Sequence, residues 1–541
     1  MTAGHPAPSL RPITMRSHSA PSPAWEAIAW GTPPGSETAV SKTAGPNANT
    51  PVVPILLDAD LQPFDTRPLA ADSIERADGA VFLVAPATAT PCPDVLERIR
   101  AALSARPDVG IFYGDDAVVD AEGLVTSVHC KPAFNPGLLM ADDYIGFPLV
   151  IRASVLAAVM PTFSRREGSA AWFAFCLEAL SAGISLDRIP HTLLASPLAR
   201  PKAGRKARAR VLERWFRAAG QPLKTAAGLT PDTLEIRRIL GDPPPVTLVI
   251  PTAQSRPKDG DGDGVPTDRP HIVQLLDSLG RSTYPANRIT VLIGDDREDD
   301  AIYLGRADRF TIKRIDTRRS AGEPFNYAAK MNRLWRAAET DLIILMNDDL
   351  VVRRRGWIEA LLTFAMDQGV GGVGGRLLFP DGTIQHAGMT GGIFGVFAHP
   401  WYKRPAAERT YADWALTQRD CSAVTGALFA TRKSVLEAVN GFDEGFALDF
   451  NDVDLCLKLR LLGYRIVYTP FAEMAHHESA SRTTSFAPGS QTARFLRRWH
   501  DVLAEDPSYS PQLRTDTDVV TPRTDATRWI TEPGAGVAGG R

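Results

Sequence analysis

LIILMNDDLVV, residues 342–352, is the stretch on which the rest of the chain turns. Five apolar residues, Leu342–Met346, run without a break into Asn347-Asp348-Asp349. A strand covered on both faces of a parallel sheet reads as such a run, and it delivers its polar side chains to the carboxyl edge, where open α/β sheets bind ligands. Taken alone, an acidic pair after an apolar strand also fits a solvated strand-end turn. Two other stretches have to decide: VTLVIPT at 246–252, and FNDVDLCLKLRLLGYRIVYTP at 450–470, followed by His476.

Between these stretches apolar runs alternate with amphipathic ones. Strands are expected at 246–251, 289–294, 342–346, 370–379, 424–430 and 465–468, and helices at 271–281, 325–338, 357–367, 433–439 and 453–462. A similar α/β alternation starts at Val52, with strands at 52–57, 80–85 and from 111, and helices at 93–104, 154–159 and 172–182. The implied organisation is a disordered Pro/Ser-rich segment at 1–50, a first α/β unit at 51–198, a basic helix with a stiff GDPPP linker at 199–245, a second α/β unit at 246–511 and a flexible tail at 512–541.

A length of 541 residues exceeds one ordinary core. A net charge of −2 gives no reason to expect a nucleic-acid partner. Five cysteines, without CxxC spacing, argue for reduced thiols in a cytoplasmic compartment and against a zinc site. No apolar run reaches the roughly 20 residues of a membrane helix. Membrane contact is therefore expected to be peripheral, at the inner face, through the substrate.

The halves repeat one another. AAWFAFCLEALSAGISLDRIP around Cys176 and FNDVDLCLKLRLLGYRIVYTP around Cys456 share their Cys-to-Gly and Gly-to-Pro spacing. In that register Asp452 falls opposite Trp172, Asp454 opposite Ala174 and His476 opposite Ser196, while Asn347-Asp348-Asp349 falls opposite Ala85-Pro86-Ala87. The ionisable groups of the second half are neutral in the first.

These groups suit one chemistry. A sugar-phosphate leaving group gains negative charge as its bond breaks, and a divalent cation on hard oxygen ligands offsets it. Asn347-Asp348-Asp349 offers such oxygens, and a neutral His476 can complete the ligand set, although a lone histidine is as often structural. An attacking hydroxyl must lose its proton, for which a carboxylate in a cleft is suited. Asp452 is the candidate base, with simple N-capping as its competing reading; Asp454 braces the helix start.

VTLVIPT, VLIGDDREDD, FNYAAKMN, LIILMNDDLVV, GWIEALL, GGVGGRLLFPDGTIQHAGM, AVTGALFATRKSVLEAVNGFDEGF, FNDVDLCLKLRLLGYRIVYTP and HHESASR stand in the order and spacing of glycosyltransferase family 2, which residues 246–506 resemble. The resemblance implies two tandem GT-A (Rossmann-like) α/β domains with the first degenerate, a nucleotide-diphosphate sugar donor, Mg²⁺ or Mn²⁺, and inversion by direct displacement on a glycan or lipid-linked acceptor of cell-surface polysaccharide synthesis. Carried over by position, Pro251 and Thr252 fall near the nucleotide, Asp295 at the base, and Asn326 of FNYAAKMN with the donor-binding groups. Asn347 and Asp349 take the outer places of the DxD motif around Asp348. Asp349 and His476 are the metal ligands, Thr425-Gly426-Ala427 lies by the sugar, and Asp452 is the base with Asn451 where many members have Glu.

The first half resembles the family through PDVGIFYGDDAVVDAEG at 107–123 and KPAFNPGLLMADDYIG at 131–146, with Asp115 and Asp116 as surrogate ligands. DGDGDG at 259–264 imitates a calcium loop, but its twelfth position is Pro270 instead of Glu. Two other classes stay open: an inactive glycan-binding scaffold, and a nucleotidyltransferase.

Overall fold

The computed structural model describes residues 52–57, 80–86, 88–160, 165–197, 203–257, 269–297, 301–303, 305, 309–320, 322–477 and 489–527. The expectations for 1–50, the 259–264 insertion, the SASR end of HHESASR and 528–541 lie outside these residues.

Two mixed sheets carry the chain. The first contains β1 (Val52–Leu57), β2 (Val81–Pro86), β3 (Ile111–Val119), β4 (Val125–His129), β5 (Leu149–Arg152) and β6 (Leu186–Ser196), in the spatial order β1-β2-β5-β3-β6 with β4 on β3. The second contains β7 (Val246–Thr252), β8 (Ile289–Asp295), β9 (Thr311–Asp316), β10 (Leu342–Met346), β11 (Leu350–Val352), β12 (Val370–Leu378), β13 (Ile384–His386), β14 (Leu428–Arg432) and β15 (Arg465–His476). Its order is β9-β8-β7-β10-β14-β12-β15-β11, with β13 on β12. β7, β10, β12 and β14 are buried throughout, as their unbroken apolar or glycine-rich sequences require. The glycines of β12 are there for space: a Cβ on Gly372 would enter the Phe429 ring, and one on Gly374 would enter Val424.

Five strands recur in the same order and sense. β1-β2-β5-β3-β6 pair parallel, antiparallel, antiparallel and parallel, and so do β7-β10-β14-β12-β15. Arg152 ends β5 and donates to the carbonyls of Leu103, Arg106 and Val109; Arg432 ends β14 and donates to those of Ala365, Asp367, Gln368 and Val370. Each guanidinium thus closes the carboxyl end of the preceding helix and the turn after it, a favourable place for a cation. The pairing of Val81 with Arg152 and of Leu342 with Arg432 sets Pro86 opposite Asn347 and Thr88 opposite Asp349. That is one residue on from the register read in the sequence, where two featureless apolar runs offered no anchor.

Two segments depart from expectation. Residues 199–245 hold the expected basic helix, but more than a linker follows it. Helix α1 (Arg205–Ala218) buries Arg208, Val211, Leu212 and Phe216, and a hairpin of 223–227 and 234–238 follows, with Ile236 N and O both bonded to the Gln418 amide. The tail is not free from 512 onward: Leu513, Val520 and Ala526 are buried, Gln512 Nε2 donates to Pro190 O, and Thr192 Oγ1 donates to Ala526 O. Its few apolar residues are too widely spaced to show periodicity, and the tail's partners lie far off in sequence, on the first sheet and at Phe394 and Trp401.

Candidate functional site

β10 ends at Met346, and Asn347 N still reaches across to Ala427 O, just before β14, at 3.0 Å. The three polar side chains then diverge. Asn347 Oδ1 accepts from Tyr327 OH at 3.1 Å, and Asp348 Oδ2 accepts from Thr252 Oγ1 at 2.6 Å. Asp349 Oδ1 lies 2.9 Å from His476 Nε2. β11 fixes that last contact, since Leu350 is paired with His476 itself and His477 N donates to Asp349 O. Burial and the charge of Asp349 push the Asp348 carboxyl up to about 7, against the pull of the Thr252 hydroxyl and Lys330.

His476 Nδ1 is bonded to Gln385 Oε1, which can only accept, so Nδ1 carries the hydrogen. Nε2 is left as the ligating nitrogen, beside the Asp349 carboxylate and 3.4 Å from Asn347 Nδ2. A nitrogen lone pair held against a buried carboxylate oxygen fits a cation between or beside them. Among the described residues no group of three or more His, Cys, Asp and Glu is arranged as a metal cage. Asp349 and His476 would supply two ligands to a cation, leaving phosphate oxygens or water to complete its shell.

Asp452 stands in the first turn of α3 (Asn451–Leu461), immediately after Phe450, whose φ of 62° turns the chain sharply into the helix. The Phe450 ring stacks on Phe495 at 4.5 Å, which holds this strained entry in place. Asp452 Oδ2 accepts from Gly426 N and Oδ1 from Val453 N, both at 2.9 Å. The Thr425-Gly426-Ala427 loop therefore touches Asp452 through one amide and the acidic strand end through the next carbonyl. Gly426 has little freedom to change, because a Cβ there would stand 3.3 Å from that of Asp452. Asp454 is fully buried on Trp499 Nε1 at 3.0 Å and Arg498, a bracing role.

The donor-side residues fall on the carboxyl ends of β7 and β8. Pro251 is paired with Gly294 and Thr252 with Asp295. Asp295 is fully buried and accepts from Gln254 Nε2, Tyr303 OH and Arg297 N, so as folded it ties the edge together. Lys330 Nζ donates to Thr252 O and to Asp296 Oδ1. Asn326 is the N-cap of α2 (Tyr327–Arg336): Oδ1 accepts from Ala329 N and Nδ2 donates to Glu444 O. Both ends of its side chain are committed, a local job that order and spacing do not distinguish from binding.

Residues 243–501 match the family model described as "Glycosyltransferase like family 2". This segment, a little under half of the chain, is similar to glycosyltransferase family 2. The second sheet, from β7 to β15, lies wholly within the matched segment. An uncharacterised protein of Sinorhizobium fredii is 30% identical over 474 residues, covering 83% of this chain and 50% of its own length. An O-antigen biosynthesis protein of Myxococcus xanthus is 28% identical over 460 residues, covering 82% of this chain and 34% of its own. An N-acetylglucosaminyl-diphospho-decaprenol L-rhamnosyltransferase of Mycobacterium tuberculosis is 27% identical over 256 residues, 44% of this chain and 80% of its own. The chain spans half or less of the first two, and both matches are too long to stop at residues 243–501.

In the register of the Cys-to-Pro spacing, neutral residues of the first unit stand at the positions of Asp452 and His476. Trp172 is buried in the helix where Asp452 stands in α3, and Ser196 ends β6 as His476 ends β15. Asp115 and Asp116, the surrogate ligands, are otherwise engaged. Asp115 Oδ1 accepts from Lys131 N at 2.7 Å, while Asp116 meets Lys131 Nζ at 3.0 Å and His129 Nδ1 at 2.8 Å.

Sequence reading missed Gln385, Tyr327, Gln254 and Lys330. Gln385, Tyr327 and Lys330 stand in quoted motifs, but only folding carries them to His476, Asn347 and Thr252.

Proposed function

We propose that the chain is an inverting, metal-dependent glycosyltransferase that moves a sugar from a nucleotide-diphosphate donor to a hydroxyl of a glycan or lipid-linked acceptor in cell-surface polysaccharide synthesis. One observation carries the reading. The Thr425–Ala427 loop ties Asp452 to the strand end that bears Asp349 and, through it, His476. A proton acceptor and a pair of cation ligands then flank one cleft.

In this mechanism the acceptor hydroxyl attacks the anomeric carbon as the bond to the diphosphate oxygen breaks. The hydroxyl proton passes to Asp452, and the bonding pair leaves with the diphosphate. The Gly426 and Val453 amides each bond one oxygen of Asp452, which fixes the orientation of the carboxylate. Asp349 and His476 would hold Mg²⁺ or Mn²⁺, which when bound neutralises charge on the leaving diphosphate. Thr252, Asp348 and Lys330 form the polar floor on the nucleotide side.

The matching strand order, strand sense and arginine caps support reading residues 51–198 as a copy of the 246–511 domain without its chemistry, serving as a platform. A cytoplasmic site of action fits the reduced cysteines, all buried. Turnover of UDP-, GDP- and dTDP-sugars in the presence of manganese tests the reading. Release of nucleoside diphosphate from at least one donor is expected, and turnover of none would leave the scaffold alternative.

A further inference from the structure

The family 2 match ends at residue 501, but the fold continues past it. Residues 503–525, with Gly391 and Gly392 opposite, line a cavity of about 780 Å³. That volume falls within the range of small-molecule sites, about 300–1,000 Å³.

One short sequence occurs twice in the lining: Arg-Thr-Asp at 514–516 and again at 523–525. The two copies lie on arms that run antiparallel. Leu513 bridges to Pro522, Arg514 N donates to Thr521 O at 2.9 Å, and Arg523 N donates to Gln512 O at 2.7 Å. In each copy the guanidinium grips its own aspartate with two bonds, at 2.9 and 2.8 Å for Arg514 on Asp516 and at 3.0 and 2.9 Å for Arg523 on Asp525. All four side chains remain about half exposed or more, so the pairs contribute little to holding the fold. What they do is fix the geometry. A guanidinium has five N–H donors, of which such a grip uses two, and each carboxylate keeps lone pairs. Donors and acceptors are thereby held side by side, the complement of adjacent hydroxyls that each donate and accept. The charge is also selective: Glu505, Asp506, Asp516 and Asp525 outnumber Arg514 and Arg523, which disfavours phosphates and acidic sugars.

Helix α4 (Ser490–Ala504) links the cavity to the cleft. Its Phe495 stacks on Phe450, two residues before Asp452, its Trp499 holds Asp454, and its Leu503 lines the cavity. Phe495 and Leu503 are eight residues apart, about 12 Å in a straight helix, and the helix kinks between them at Trp499.

We infer that this cavity is a second binding site, for a neutral glycan, which grips the acceptor chain at a distance from its reacting hydroxyl. The acceptor role rests on the transferase reading above; the glycan site itself does not.

The test is retention of the full chain on an array of immobilised neutral and anionic bacterial polysaccharide fragments, beside Arg514→Ala, Arg523→Ala and Thr524→Trp. The tryptophan fills the cavity without removing an ion pair, and carries the test if an arginine variant melts early. Expected are retention on neutral fragments, at least tenfold weaker retention for the variants, and unchanged nucleotide-sugar turnover against water. Variants that bind as the wild type does, retention confined to anionic fragments, or no retention on any fragment would each overturn the inference. If no nucleotide sugar turns over while retention still depends on these residues, the transferase reading fails and the glycan site stands.

Discussion

Replacing Asp452 by asparagine separates the two roles that its position allows. The carboxylate accepts from two amides, Gly426 N and Val453 N, each at 2.9 Å. An asparagine of the same shape can turn its oxygen toward only one of them and must present its NH₂ to the other. The unmade bond costs about 1–3 kcal/mol when no water replaces it. Asp452 is partly exposed, so a loss near the lower end is expected, a shift of a few degrees in Tm. Catalysis loses far more. Removing a positioned general base costs about 10²–10⁴ in rate, roughly 2.7–5.5 kcal/mol of barrier. A protein destabilised by about 1 kcal/mol stays folded at 25 °C and cannot produce such a loss by unfolding. The assay is single-turnover transfer with the donor found by the nucleotide-sugar panel, run beside a thermal melt. Transfer within tenfold of wild type by a folded Asp452→Asn protein would refute the base assignment, leaving Asp452 as a cap for α3 and an anchor for the loop.

Other predictions concern the ligand pair, the first unit and the packing of β12. Gln385→Leu frees the His476 ring that Gln385 orients, so Mn²⁺ affinity, measured by titration calorimetry, should fall by about 10–100-fold; unchanged affinity would remove the histidine from the ligand set. EDTA should abolish donor turnover and added Mn²⁺ restore it, whereas full activity in EDTA would end the metal role. Burial pushes Asp115 up to about 7, so between about pH 4 and 7 the unfolded chain releases this proton and the folded one keeps it. Its contribution to stability therefore falls as pH rises through that window. Asp115→Asn, whose oxygen can still accept from Lys131 N, should raise stability at pH 8 relative to wild type and change it little at pH 4, and an equal effect at both would contradict the assigned cause. Gly375→Ala should cost about 1–3 kcal/mol or more in a urea melt, because the added Cβ runs into the backbone oxygen of Ala472. Gly114→Ala, at the corresponding bulge of β3, meets only the Leu193 side chain and should cost less; the reverse order would show that β12 gives way there.

What the sequence determined was whatever depends on local pattern. The runs at 246–252 and 342–346 could be read as strands buried on both faces, because no amphipathic stripe interrupts them. Asp349, Asp452 and His476 stood out as candidates because their types are costly to bury and they stand at the edges of regular elements, and the spacing from Cys to Pro suggested a repeat of the two halves. Tertiary structure decided what depends on pairing across the chain. It shows Asn326 spent as a helix cap and Gln385 set against His476 from 91 residues away. It makes residues 512–527 a packed segment around a cavity where sequence alone suggested a tail. A side chain's residue type fixes what it is able to do, but its partner is chosen by sheet register and loop return. Those are set by the burial of whole strands, which no short window of sequence contains.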